Sequence, residues 1–275
     1  MKRRHFIQLS SLTLVAGGAY SLNRGVRFPV LGLELPSLPS KQRHHGTNIS
    51  YPNAILIELG EERAQFRATA PEPKFELSAT TAGKLTLTIE NVSQKAQLEV
   101  QGSKIIAESI SGIQRIVELD LTQGARISLQ WKISDMDSFR FAAIGDSGGG
   151  PELGWCIKRA ADLGADFILH LGDINYRPED YGLARANLLG SPIPIFVTIG
   201  NHDYRDQGIY YYDQFRSLIG PLNNEFALGG VRFLNIDTAN DIFPASSGHR
   251  GRFLSRLQPT QNTRDTVVFT HRPLI

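Results

Sequence analysis

Between Ala54 and Ile133 apolar and polar residues alternate in short runs: ILIELG, AQFRATA, FELSAT, KLTLTIENV, AQLEVQG, RIVELDL and RISLQWKI. Alternation sends successive side chains to opposite faces of an extended chain, so each run suits a strand with one buried face. Pro71-Glu72-Pro73, Thr81-Ala82-Gly83 and Gln123-Gly124 break the runs where turns are needed. Seven short strands at this spacing predict an antiparallel β-sandwich domain over residues 51–134. The stretch holds no cluster of His, Cys or paired acids, so positioning or binding is its expected role.

From Phe139 the pattern changes. FRFAAIGD, DFILHLGD and IPIFVTIGNHD are compact apolar runs that end on polar residues, and VRFLNIDT and TVVFTHRP add two more. ELGWCIKRAADLG carries its apolar residues on one helical face. Helix-like stretches lie around Tyr210–Ile219 and Arg252–Leu257. Strands alternating with helices predict an α/β layered domain over residues 139–275, with at least part of its sheet parallel.

Charge alters the picture at the N-terminus. The formal net charge of the 275 residues is +2, yet the first 25 contain Lys2, Arg3, Arg4 and Arg24 and no acid. Without those four, 25 basic residues face 27 acidic ones, and no electrostatic case for nucleic acid binding remains. A basic start, an apolar stretch from Phe6 to Ala19 and closing small residues have the layout of a secretory signal. Arg3-Arg4 followed by Phe6 and Ile7 resembles a twin-arginine signal peptide, placed over residues 1–25. That resemblance implies the twin-arginine export machinery as a partner and a periplasmic or extracellular destination. The apolar stretch is shorter than the ~20 residues that span a bilayer, so no stable transmembrane span is expected. Cleavage near Ala19 and an uncleaved anchor both stay open. Residues 26–50, with Pro29, Pro36 and Pro39, read as a linker, and His44-His45 within it as solvated. Cys156 has no second cysteine to pair with and reads as a buried small apolar residue.

The chemistry lies at the ends of the apolar runs. Asp146, Asp173, Asn201 and His271 each fall at or just after the C-terminal end of a predicted buried strand. In open α/β sheets the crevice beyond those ends binds ligands. Carboxylates gathered in one crevice repel each other unless a cation neutralises them, so a metal site is expected.

The ordered set Asp146-Ser147-Gly148, Gly172-Asp173-Ile174-Asn175-Tyr176, Gly200-Asn201-His202-Asp203 and Val267-Val268-Phe269-Thr270-His271 resembles the calcineurin-like metallophosphoesterase superfamily. Gly148, where many relatives place a metal-binding His, and Tyr176, three residues after Asp173, narrow the resemblance to the purple acid phosphatases. Plant-type members also carry a β-sandwich ahead of the catalytic domain. The resemblance implies two metal ions, Fe(III) with Fe(II), Zn(II) or Mn(II). Asp146, Asp173 and Tyr176 would hold the first, and Asp173, Asn201 and His271 the second. It implies hydrolysis of a phosphate-ester substrate by a hydroxide on the ions, with His202 protonating the leaving oxygen and Asp203 orienting His202.

The resemblance covers residues 139–275 and lacks the family's last motif, GHxH. A truncated domain of reduced activity is the expectation, with one imidazole fewer on each ion and apolar sheet surface left open. Gly148, Gly149 and Gly150 fit either an open loop beside the ions or a tight turn. His170 reads as a satisfied core residue, Asp237 as a support behind the site, and Arg272 as either a phosphate contact or a surface arginine. A phosphodiesterase acting on nucleotides or lipids, or a non-catalytic envelope protein with a vestigial metal site, are the competing functions.

Overall fold

The computed structural model describes residues 38–102, 105–134, 138–177, 180–206, 209–210, 212–239, 246–259 and 263–273. The signal-like stretch 1–25 lies outside them. Leu38–Asp241 together with Gln258–Ile275 forms one compact unit. The helix Gly248–Arg256 belongs to the other. No described helix is long and apolar enough to cross a membrane.

Ten strands build the first half: β1 (Lys41–His44), β2 (Thr47–Ser50), β3 (Ala54–Leu59), β4 (Arg63–Ala68), β5 (Lys74–Ala79), β6 (Gly83–Glu90), β7 (Gln97–Gln101), β8 (Ile105–Ser111), β9 (Gln114–Leu121) and β10 (Arg126–Lys132). They form two five-stranded sheets, ordered β1-β2-β5-β10-β7 and β3-β4-β6-β9-β8. The alternation in the sequence sets which faces meet. Phe75, Leu77 and Ala79 of β5 and Ile127, Leu129 and Trp131 of β10 turn inward. Leu85, Leu87 and Ile89 of β6 and Val117, Leu119 and Leu121 of β9 meet them from the other sheet. Each of the leucines, isoleucines, Val117 and Phe75 contributes roughly 1.5–3 kcal/mol by leaving water.

Three features differ from the sequence reading. Residues 41–50, read as linker, make a hairpin whose second strand pairs with β5. Its turn is His45-Gly46, both at positive φ (43° and 78°), as a type I′ turn requires. His44 is therefore buried at the end of β1 rather than solvated. The sheets are not wholly antiparallel, because the chain leaves β4, runs as β5 in the opposite sheet, and returns as β6 parallel to β4.

The second half opens β11 (Phe141–Ile144), α1 (Pro151–Asp162), β12 (Phe167–His170), α2 (Asp180–Leu189), β13 (Ile195–Val197), a parallel sheet in the order β11-β12-β13. Leu153, Ile157 and Ala160 recur at helical spacing on the buried side of α1. Then come α3 (Asn201–Tyr204), the two-residue strands β14 (Arg205–Asp206) and β15 (Ile209–Tyr210), and α4 (Tyr212–Leu218). A second sheet holds β16 (Asn224–Leu228), β17 (Val231–Asn235) and β18 (Asp265–Phe269), with β17 antiparallel to β16 and parallel to β18. The helix Gly248–Arg256, labelled α5, falls between β17 and β18 in sequence.

The two small sheets share a core of phenylalanines. Phe167 and Phe196 from the first meet Phe226, Phe233 and Phe269 from the second, and Ala70, two residues beyond β4, joins them. Phe167 and Phe233 meet edge-to-face with ring centroids 5.5 Å apart. On β11 and β18, Phe141 and Val268 remain 39% and 44% exposed. Cys156 is only half-buried on α1, because its neighbours Leu153 and Ile157 hold the inward face.

A polar clamp ties the sandwich to the α/β half. Arg67 of β4, fully buried, donates to the carbonyls of Ile195 (2.8 Å) and Ile219 (3.0 Å). Asn91 donates to Ile195 O (3.1 Å) and Ala68 O (2.9 Å) and accepts from Ile195 N–H (2.8 Å). Glu90 takes both guanidinium nitrogens of Arg185 at 2.5 and 2.7 Å. The Arg67 and Asn91 contacts grip the first residue of β13, whose far end leads into the Gly200–Asp203 loop. Asn91→Gly keeps the left-handed backbone (φ 67°) and deletes the amide together with its β-carbon. Unfolding in urea is expected to show a loss of roughly 2–4 kcal/mol, and a loss below ~0.5 kcal/mol would show that the clamp contributes no stability.

Candidate metal centre

Four strand ends meet in one cleft. Asp146 follows β11 by two residues, Asp173 follows β12 by three, Asn201 follows β13 by four, and His271 follows β18 by two. One ligand atom each from Asp146, Asp173 and His271 lies within 4.8 Å of the others. His271 Nε2 is 2.9 Å from Asn201 Oδ1 and 3.6 Å from Asp173 Oδ2. All four residues expected to share a crevice are thus brought together.

The backbone that presents the aspartates is unusual. Asp146 and Asp173 both have φ of +56°, a left-handed conformation that costs a non-glycine residue roughly 1–2 kcal/mol. The two loops hold each other there: Asp146 N–H donates to Gly172 O and Gly148 N–H to Asp173 O, both at 3.0 Å. Gly200 closes over the same point. A Cβ on it would lie 2.1 Å from Asp173 Oδ1 and 2.2 Å from Asp173 N, so only glycine lets the loops approach so closely. His202 N–H then reaches Asp173 Oδ1 at 3.0 Å.

The donor set fits a cation. Leu171 O can only accept, so His271 Nδ1, 2.8 Å away, carries a proton toward it. The lone pair on Nε2 then faces two further acceptors, Asn201 Oδ1 and Asp173 Oδ2. A positive ion, or a second proton on the ring, makes that geometry attractive. Burial drives the Asp173 carboxyl upward from its usual range, the His202 N–H and the nearby histidines oppose it, and the Asp146 charge adds to the rise. The Tyr176 phenol is pushed up to about 12 by burial and by the charges of Asp173, Asp146 and Asp203. Hard oxygens with one imidazole suit iron, manganese or zinc.

Tyr176 stands beside this cluster. Its ring meets the His202 ring at 4.8 Å, tilted by 56°. A Cβ on Gly148 would sit 3.2 Å from Tyr176 Cδ2, so the missing side chain there makes room for the phenol ring. Gly148 and Gly149 are both buried, and the glycine run is a packed turn rather than an open loop. Asp180 Oδ2, at the start of α2, accepts from Tyr176 N–H (2.9 Å) and Arg177 N–H (3.0 Å) and fixes the loop that carries the tyrosine. Sequence reading passed over Asp180, although an acid opening a helix is a recognisable cap signal.

His202 is half-buried, whereas Asp203 is wholly buried. Asp203 Oδ2 accepts from Gly200 N–H at 2.8 Å, so its carboxyl organises the turn and not, as expected, the His202 ring. The physical reason is the tight turn of α3, which directs residue 203 inward while residue 202 faces the cleft. Burial pushes Asp203 up to about 7, against the pull of the Gly200, Ile174 and Asp173 backbone groups. Asp237 Oδ1 accepts from Ala239 N–H at 2.9 Å, and Arg272 exchanges backbone hydrogen bonds with the Thr238 hydroxyl.

Residues 139–275 match the family described as calcineurin-like phosphoesterase. No curated protein matches the chain. Among solved structures it aligns with a purple acid phosphatase from yellow lupin (Lupinus luteus) seeds at 11% identity and a TM-score of 0.39. The alignment covers 81% of this chain and 51% of that one, so the chain spans about half the length of that enzyme.

An acid whose folded pKa exceeds its unfolded value binds more protons folded than unfolded between the two, so stability falls as pH rises through that window. For Asp203 the window runs from about 4 to about 7. Metal-free protein is expected to lose roughly 2–4 kcal/mol relative to Asp203→Asn between those limits, read by urea unfolding. Parallel pH profiles for the two proteins would contradict the assignment.

Proposed function

The half of the chain from residue 139 to residue 275 belongs to the calcineurin-like phosphoesterase family, and on that premise we propose that the protein hydrolyses phosphate esters at a pair of cations. The observation that carries this reading is the convergence of Asp146, Asp173 and His271 within 4.8 Å. Asp146, Asp173 and Tyr176 would hold one ion, and Asp173, Asn201 and His271 would hold the other. Fe(III) with Fe(II), Zn(II) or Mn(II) is the proposed pair, since carboxylate, phenol and amide oxygens with one imidazole suit such cations. When bound, the pair supplies charge to clamp the phosphoryl oxygens and acidity to activate water.

The remaining work falls to this chain's own side chains. Asp146 is solvent-exposed and Asp173 buried, so the cleft has an open wall for substrate and a closed one behind it. His202 is half-buried against Tyr176 and donates the proton that the leaving oxygen needs. Asp203 and Gly200 hold the turn that aims it. The twin-arginine signal adds an exported location, where an already folded, metal-loaded enzyme would act.

An aryl phosphate monoester compared with the matching diester tests the reaction, and metal-loaded protein that cleaves neither overturns it. Asp173→Ala is expected to lose both ions by elemental analysis, and two ions retained in that variant would contradict the reading that Asp173 would serve both. His202→Ala is expected to keep both ions while kcat on the monoester falls about 10²–10⁴-fold. Tyr176→Phe is expected to abolish any visible absorption of the iron-loaded protein, whereas an unchanged band would remove the tyrosine from the ligand set.

A further inference from the structure

We infer that His170, which lies outside the proposed ligand set, is a positioning residue that locks the two aspartate loops through both of its ring nitrogens. The inference rests on the reading of Asp146 and Asp173 as metal ligands. His170 is the last residue of β12, the middle strand of its sheet, paired with Ile144 on one side and Val197 on the other. The ring is wholly buried. Its backbone carbonyl accepts from Thr198 N–H at 2.9 Å, so the residue is fixed before its side chain is considered.

The ring nitrogens reach the two loops that carry the aspartates. Gly172 N–H lies 3.3 Å from Nδ1, and Ser147 Oγ lies 2.8 Å from Nε2. Gly172 directly precedes Asp173, and Ser147 directly follows Asp146. A backbone amide can only donate, so Nδ1 is the unprotonated nitrogen and Nε2 carries the hydrogen. Nε2–H then donates to Ser147 Oγ, which donates its own proton to Gly148 O at 2.9 Å. Every donor and acceptor along Gly172–His170–Ser147–Gly148 therefore has a single direction. Burial, and secondarily His271, push the imidazole down to about 3, so the neutral tautomer persists through the neutral range.

A histidine that merely filled space would not need this arrangement. Both loops hold an aspartate at a φ of +56°, and a strained conformation persists only where its surroundings over-determine it. The bonds Asp146 N–H to Gly172 O and Gly148 N–H to Asp173 O tie the loops to each other. His170 ties both of them to the end of β12. Partners of this kind, one step removed from the ion, govern how well a ligand is oriented.

Titration of the full-length, metal-free protein with Mn(II) alone, followed by calorimetry, tests the inference. His170→Leu removes both bonds and is expected to weaken Mn(II) binding about 10–100-fold. His170→Gln places an amide N–H toward Ser147 but leaves Gly172 without its acceptor, and is expected to weaken binding less than His170→Leu. Ser147→Ala opens no core cavity and is expected to weaken binding in the wild-type background but not further in the His170→Leu background, because both act through one bond. If His170→Leu fails to fold, Ser147→Ala alone decides, and the affinity of wild type in that variant overturns the inference. So do independent, additive losses from the two sites. A wild-type protein that binds none of Mn(II), Zn(II) and Fe(II) in the same titration overturns the proposed function itself, and the inference with it.

Discussion

Two carboxylates held at neighbouring strand ends repel, and the rest of the structure is organised around tolerating that. Asp146 and Asp173 share a left-handed backbone and crossed loop hydrogen bonds. Asp173 is buried, which already disfavours its charge, and Asp146 disfavours it further. Nothing in folding alone rewards such a cluster. His271 offers a lone pair to the same point, and Tyr176 stands beside it with a phenol held protonated by burial and by its acidic neighbours. A cation reverses the sign of each of these costs at once.

Holding that cluster in place requires support from well beyond it. Arg67 and Asn91 of the sandwich grip Ile195 at the start of β13. Three residues of strand and a short turn later, Gly200 closes on Asp173 and Asn201 meets His271. The sandwich thus acts on the site through a strand rather than through a side chain in the cleft. From the other side the phenylalanine core joins the sheet that delivers Asp146, Asp173 and Asn201 to the sheet that delivers His271. Aromatic rings suit this joint, since they bury a large area with few rotatable bonds.

Much of this was legible in the residues themselves. The seven alternating runs became β3, β4, β5, β6, β7, β9 and β10, because alternation maps directly onto which face of a strand is wet. β8 escaped notice because IIAESIS is an exposed edge strand without that alternation. The hairpin β1–β2 was hidden by a His45-Gly46 turn in place of the commoner Asn-Gly. Gly229-Gly230, both at positive φ, did signal the β16–β17 hairpin and was passed over. α2 was also missed, since Gly182 interrupts it and its apolar residues form only a narrow stripe.

By itself the sequence determined which residues end the strands, and hence that Asp146, Asp173, Asn201 and His271 had to lie at one edge of an α/β domain. Periodicity is local, and a strand's end is visible wherever an apolar run stops. Tertiary structure alone decided the direction of each side chain past that edge. Asp203 turned inward to the Gly200 N–H, Gly148 packed against Tyr176, and His170 reached both aspartate loops. Those outcomes depend on backbone dihedrals and on contacts between segments tens of residues apart, which no pattern of neighbours along the chain encodes.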